Sequence, residues 1–186
     1  MYRQFLSRVG RPTSALVDLR NVITSMYIAT LGNTNKEVIV KFTTRYNEVA
    51  HCLLANVDLA LELHFCECVI GNLYMVVMDR VDGTSVWQLQ QDKKSVPAVV
   101  LNDINNVLCI LHANGIVFGD LRDANILCLT SEARAMLVDF DWCGKDGEDR
   151  YTAMLNPSNA WPEDDLPYSI MHKAHDAWQL NQLAAL

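Results

Sequence analysis

Two short stretches concentrate the residues able to do chemistry. Gly119-Asp120-Leu121-Arg122-Asp123-Ala124-Asn125 places an acid, a cation and an amide on one loop, and Asp139-Phe140-Asp141 sets further acids directly after an apolar run. Carboxylate and amide oxygens are ligands for a hard divalent cation such as Mg²⁺. A guanidinium matches phosphate, and a carboxylate can take up or orient the proton of a hydroxyl. Phosphoryl transfer asks little more of a protein than such parts, well placed. Each piece alone is common in sequences, and the order and spacing of the set carry the weight. The spacing allows both loops to open into one cleft.

The elements that must position these loops are legible from periodicity. Residues 26–31 and 38–42 are β-rich runs separated by Gly32-Asn33-Thr34-Asn35, the chemistry of a hairpin turn. Residues 46–55 carry Val49, Leu53 and Leu54 at helical spacing. Strands are expected over 63–69 and 73–78 around the turn Gly71-Asn72, and 79–85 reads as a linker. Ser95 is placed to cap a helix that Pro97 helps to start. Its apolar stripe is Val99, Val100, Ile104, Val107, Leu108 and Leu111, and Gly115 is placed to end it in a left-handed turn. Short strands over 126–129 and 135–138, a long loop from 139 to about 168 and a helical pattern over 170–186 complete the chain.

The totals restrict the functional classes. With 186 residues, 51% hydrophobic and 20% charged, the chain suits one domain or two small lobes with a real core. A net charge of −7 works against DNA or RNA as partner, although one nucleotide can still be received by a local lysine and a bound cation. Cys66 and Cys68 are the one close pair among six cysteines, too little for a zinc site. Free thiols in apolar runs suit a reducing compartment. No signal peptide or membrane span is evident, so an intracellular, cytoplasmic protein without membrane association is expected. The five histidines lack metal spacing, His112 reads as a structural helix-end residue, and the tryptophans read as packing residues.

In this order the motifs resemble the protein kinase superfamily. The run Leu111-His112-Ala113-Asn114-Gly115-Ile116-Val117-Phe118-Gly119-Asp120 resembles the end of the long C-lobe helix leading into the catalytic loop. The resemblance implies that Asp120 is the catalytic aspartate, that Arg122 faces the transferred phosphate where most relatives have lysine, and that Asn125 and Asp139 hold Mg²⁺. Val38-Ile39-Val40-Lys41 resembles the V-A-I-K strand, with Lys41 on the ATP phosphates and Glu48 as its ion-pair partner. A solvated helix-surface role for Glu48 stays open. Met78-Asp79-Arg80-Val81 resembles the hinge, where the backbone of Asp79 and Val81 would meet adenine. Asp176-Ala177-Trp178 resembles the start of the helix whose aspartate braces the catalytic loop.

The chain departs from that family in four places. The stretch 18–25, where the glycine-rich phosphate lid belongs, contains no glycine. Phe118-Gly119-Asp120 stands for H-R-D, so the arginine that reads a phosphorylated activation loop is missing. Asp141 replaces the glycine of D-F-G, and no A-P-E motif is evident, although Asn156-Pro157 and Trp161-Pro162 occupy its region. The chain also stops soon after Asp176. Asp139-Phe140-Asp141-Trp142 followed by Gly144-Lys145 resembles divergent kinase-like proteins of fungi.

The expectation is therefore an α+β, two-lobed protein-kinase-like domain over 1–186: a small antiparallel-sheet N-lobe (about 1–78), a hinge (79–83) and a mainly helical, shortened C-lobe (84–186). The function implied is transfer of the γ-phosphoryl of ATP, with Mg²⁺, to a Ser/Thr or other hydroxyl. Two alternatives accompany it: a pseudokinase binding module, and a small-molecule kinase of aminoglycoside or choline type.

Overall fold

The structure, a computed structural model, describes residues 4–6, 12–13, 25–32, 34–153 and 167–184. They fall into two compact units, one drawn from Met1–Tyr46 and Leu61–Val81, the other from Asn47–Ala60 and Asp82–Leu186.

The first unit is an antiparallel sheet of six strands. They are β1 (Gln4–Leu6), β2 (Pro12–Thr13), β3 (Ser25–Thr30), β4 (Glu37–Thr43), β5 (Leu63–Cys68) and β6 (Tyr74–Asp79), in the spatial order β2-β1-β3-β4-β6-β5. Leu31 and Asn35 close the turn from β3 into β4: the Asn35 amide donates to the Leu31 carbonyl at 3.0 Å, and Asn35 takes a left-handed φ of 55°. Gly71 (φ 77°) and Asn72 (φ 57°) do the same between β5 and β6. Alternation along β4 sends Val38 and Val40 into a core with Ala29 and Val77, backed by Phe42, Phe65 and Met75. Lys41, next along the strand and on its opposite face, is also buried.

Helix α1 (Glu48–Ala55) belongs to the second unit. Its cap is Asn47, whose side chain accepts from the Ala50 amide at 2.9 Å. The expected linker 79–85 is a linker only in part, because Gly83–Ser85 forms β7. That short run becomes a strand by pairing with β9 (Ile126–Leu129), which pairs in turn with β10 (Ala135–Leu137). Ser85 then caps α2 (Val86–Gln91) by accepting from Gln88 at 3.2 Å.

Helix α3 (Val99–Ala113) buries Val100, Ile104, Val107, Leu108 and Leu111 of the predicted stripe, while Val99, at its start, is half-buried. Ser95 does not cap it. The helix starts later, after Ala98, with no side-chain cap, and the Pro97 carbonyl takes the Val100 amide instead. Gly115, at φ 71°, ends it as expected.

The described part of the expected long loop after residue 139 contains a 3-10 turn (Phe140–Trp142) and β11 (Gly144–Lys145). Strand β11 pairs with β8 (Ile116–Val117). Val117, Tyr151 and Met171 pack together beneath, with Trp142 against them. Helix α4 spans Lys173–Ala184 and begins three residues after the predicted start at 170. Residues 18–24 of the stretch where the phosphate lid is expected, and both Asn156-Pro157 and Trp161-Pro162, lie outside the described residues. No helix among the described residues is long and apolar enough to cross a membrane.

Candidate functional site

The second unit brings the two chemistry-bearing loops together. Between β8 and β9 the chain runs through Phe118 to Asn125 and closes with a 3-10 turn (Asp123–Asn125). Asp120 is 4% exposed at its centre. Asn125, also buried, donates its Nδ2 to both Asp120 Oδ2 (2.8 Å) and the Asp120 carbonyl (2.9 Å). Those bonds leave the Oδ1 of Asn125 as the atom for a cation. The Val138 amide donates to the Asn125 carbonyl at 2.9 Å, so the strand leading to Asp139 is tied to the same loop.

Asp139 itself holds a left-handed conformation (φ 72°, ψ 73°), which an aspartate tolerates better than most side chains. Its charge reaches Asp120. Burial pushes the Asp120 carboxyl up from 3.8 to about 7 and the Asp139 charge pushes it the same way, against the pull of the Arg122 guanidinium and of the Asn125 amide. A carboxyl poised there is half ionised at neutral pH, where a general base is most effective.

Arg122 adds a detail that sequence spacing could not supply. Its Nη2 turns back onto Asp120 Oδ2 at 2.9 Å, and its Nε is buried without a hydrogen-bond partner. The guanidinium is thus an ion-pair partner of the central acid as well as a candidate phosphate ligand.

A rigid backing holds this loop. Asp176, 0% exposed on α4, accepts from the Phe118 amide (2.8 Å, Oδ2), the Gly119 amide (2.9 Å, Oδ1) and His112 Nε2 (2.8 Å, Oδ2). One turn further along α4, Gln179 accepts from the Leu121 amide at 3.0 Å. Sequence reading missed Gln179, although its i+3 spacing from Asp176 puts both on one helix face. His112 is structural, as expected.

The glycine at 119 is required where it stands. Its φ is 78°, and a Cβ there would lie 2.5 Å from Met171 Cε and 3.1 Å from the Trp142 carbonyl oxygen. An arginine could not be accommodated without moving the backbone. Gly119→Ala should therefore cost about 2 kcal/mol or more in chemical denaturation; a loss below about 0.5 kcal/mol would contradict this reading.

Other sequence candidates are placed as follows. Lys41 is 3% exposed, with its Nζ 5.8 Å from the centroid of the Tyr46 ring. Asp79 ends β6; its amide donates to the Glu62 carbonyl at 3.0 Å, and its carboxylate binds Lys36 Nζ (2.7 Å) and His64 Nε2 (2.6 Å). Val81 is half-buried just beyond. Glu48 is exposed in the first turn of α1.

The donor set fits Mg²⁺. Asn125 Oδ1 and the Asp139 carboxylate lie on adjoining segments and would offer a hard cation the oxygen donors it prefers. Asp141 follows within the 3-10 turn.

No family model matches the sequence, and no curated protein matches it. Among solved structures, the kinase PK-1 of the Cydia pomonella granulovirus is similar, with a TM-score of 0.66 at 17% identity. The match covers 87% of this chain but 62% of that one, so this chain spans less than two thirds of its neighbour's length. The likeness shows a protein-kinase-like α+β fold, with an antiparallel sheet toward the N-terminus followed by a mainly helical part.

Proposed function

We propose that this chain is a phosphotransferase of protein-kinase type that moves the γ-phosphoryl of ATP to a hydroxyl. One observation carries the reading: a buried aspartate, held by an asparagine amide and raised to about 7, beside a second loop that ends in another acid. Asp120 orients the hydroxyl and draws off its proton as the new P–O bond forms and the bond to ADP breaks. Asn125 and Asp139 would hold Mg²⁺, which supplies charge neutralisation of the phosphates when bound. Arg122 serves the transferred phosphate. Lys41, Glu48, Asp79 and Val81 are assigned to ATP by their match to kinase motifs. A Ser or Thr of a protein is the acceptor favoured by that match, and a fungal-type relationship rests on the Asp139-Phe140-Asp141-Trp142 run with the Gly144-Lys145 that follows.

A second reading, a pseudokinase binding module, is favoured by the glycine-free stretch 18–25, which would keep backbone amides away from phosphates. Thermal unfolding separates the two. Saturating ATP with Mg²⁺ should raise the midpoint by several degrees, since ligand at about 100 times its Kd stabilises by about 2.7 kcal/mol. Asp139→Ala should abolish the part of that rise that needs Mg²⁺. A parent chain unmoved by ATP and Mg²⁺ together rejects the enzyme and leaves the binding module.

A further inference from the structure

Asn47 spends three polar groups at once. Its Oδ1 caps α1 by accepting from Ala50 (2.9 Å), its backbone amide donates to the Phe140 carbonyl (3.1 Å), and its Nδ2 donates to the Cys143 carbonyl (3.4 Å). Two of the three therefore grip the turn that leaves Asp139, at either end of Phe140–Trp142. The grip is reinforced one turn along α1, where the His51 ring stacks flat on Phe140 at 4.6 Å between centroids, with the planes within 10°. On the other side of Asp139, the Val138 amide is fixed to the Asn125 carbonyl. Asp139 thus sits between two clamps, one on each flank, while holding a left-handed backbone conformation that costs free energy in an unconstrained chain.

We infer that Asn47 is a positioning residue that locks the Asp139 turn, so that the metal-holding acid is set without any modification of the chain. The inference rests on the phosphotransferase reading above for the role of Asp139, and on the geometry of α1 for the lock. A cap alone would need the Oδ1 only. The side-chain nitrogen is the part of the tie that requires asparagine, since any residue offers the backbone amide and a carboxylate or hydroxyl would cap as well as an amide does.

That difference gives the test. Asn47→Asp is isosteric and keeps the cap but turns a donor into an acceptor facing the Cys143 carbonyl. Asn47→Ser keeps a cap, removes the donor and adds no charge. Both variants should unfold within a degree or two of the parent, with α1 amides exchanging at parental rates. Amides of the peptide 139–145 should exchange about tenfold faster in each variant. The Mg²⁺ concentration needed for half of the ADP-dependent thermal shift should rise about fivefold or more, while any shift by ADP without Mg²⁺ stays as it was. A parent that responds to Mg²⁺ and ADP, with both variants matching it in exchange and in Mg²⁺ demand, overturns the inference alone. A parent that gives no Mg²⁺-dependent shift overturns the phosphotransferase reading and this inference with it.

Discussion

Replacing Asp120 by asparagine should lower phosphoryl transfer by about 10²–10⁴-fold and, in the same molecule, make the free protein more stable above pH 7. The two effects share one cause. Burial holds the Asp120 carboxyl at about 7 instead of 3.8, so the folded state binds its proton more tightly than the unfolded chain does. The stability this gives is fully present below the ordinary carboxylate range and is lost as the pH rises through about 7. At pH 8 the parent carries a buried charge that asparagine does not. The gap from 3.8 to about 7 sets a ceiling of about 4 kcal/mol. The pull of the Arg122 guanidinium is already included in that gap, and relaxation of the site around the buried charge brings the expected gain to about 2 kcal/mol. Denaturant titrations at pH 5 and pH 8 measure it: the gain should be present at pH 8 and shrink toward zero as the pH falls below 4. An asparagine variant with a parental pH profile of stability would show that Asp120 is ionised without penalty. For the parent, transfer should increase with pH across about 7 as the base loses its proton.

The second large effect concerns Asp176. Its carboxylate is wholly buried and accepts from two consecutive loop amides and from His112. Asp176→Ala strands the two buried loop amides without an acceptor, takes the partner from the half-buried His112 ring, and should cost about 3–5 kcal/mol. In a chain of this size that is a fall of about 10 °C in thermal midpoint. Gln179→Ala removes a single acceptor, that of the Leu121 amide, and should cost only about 1–2 kcal/mol. Equal losses from the two substitutions would mean that Asp176 does not brace the loop as its hydrogen bonds indicate. Transfer, where it is measurable, should fall further than stability does in Asp176→Ala, because the loop amides it fixes flank Asp120.

The parts of this fold that were legible in sequence are those whose cause is local. The β3–β4 hairpin announces itself through Gly32 and Asn35, and α3 through five apolar residues that repeat on one face and are all buried. Errors arose where the deciding partner lies far along the chain. Gly83–Ser85 has no strand pattern of its own and becomes a strand only against β9. Ser95 has the chemistry of a cap, yet the chain reaches helical geometry only past Pro97 and Ala98. The site divides the same way. Asp120, Asn125 and Asp139 could be singled out from sequence because their order along the chain is informative, and the structure sets the loops that carry them side by side. The turn of Arg122 onto Asp120 depends on side-chain direction, and the contact of Asn47 with Cys143 spans 96 residues. Nothing about an asparagine before a helix distinguishes a cap from a clamp.

The placement of α1 has a consequence for how the chain is made. Residues 47–60 interrupt the first unit in sequence but pack in the second, so the polypeptide passes between units at three points. Neither unit is a continuous segment that could be excised by cutting once. As the chain leaves the ribosome, the sheet cannot be completed until β6 has emerged, and the α1 segment, already outside, must wait for α3 and the Phe140 turn before it finds its packing partners. A fragment beginning at residue 82 would lack that helix and present its bare docking face to water, and should be rescued by adding a peptide of residues 47–60 in trans.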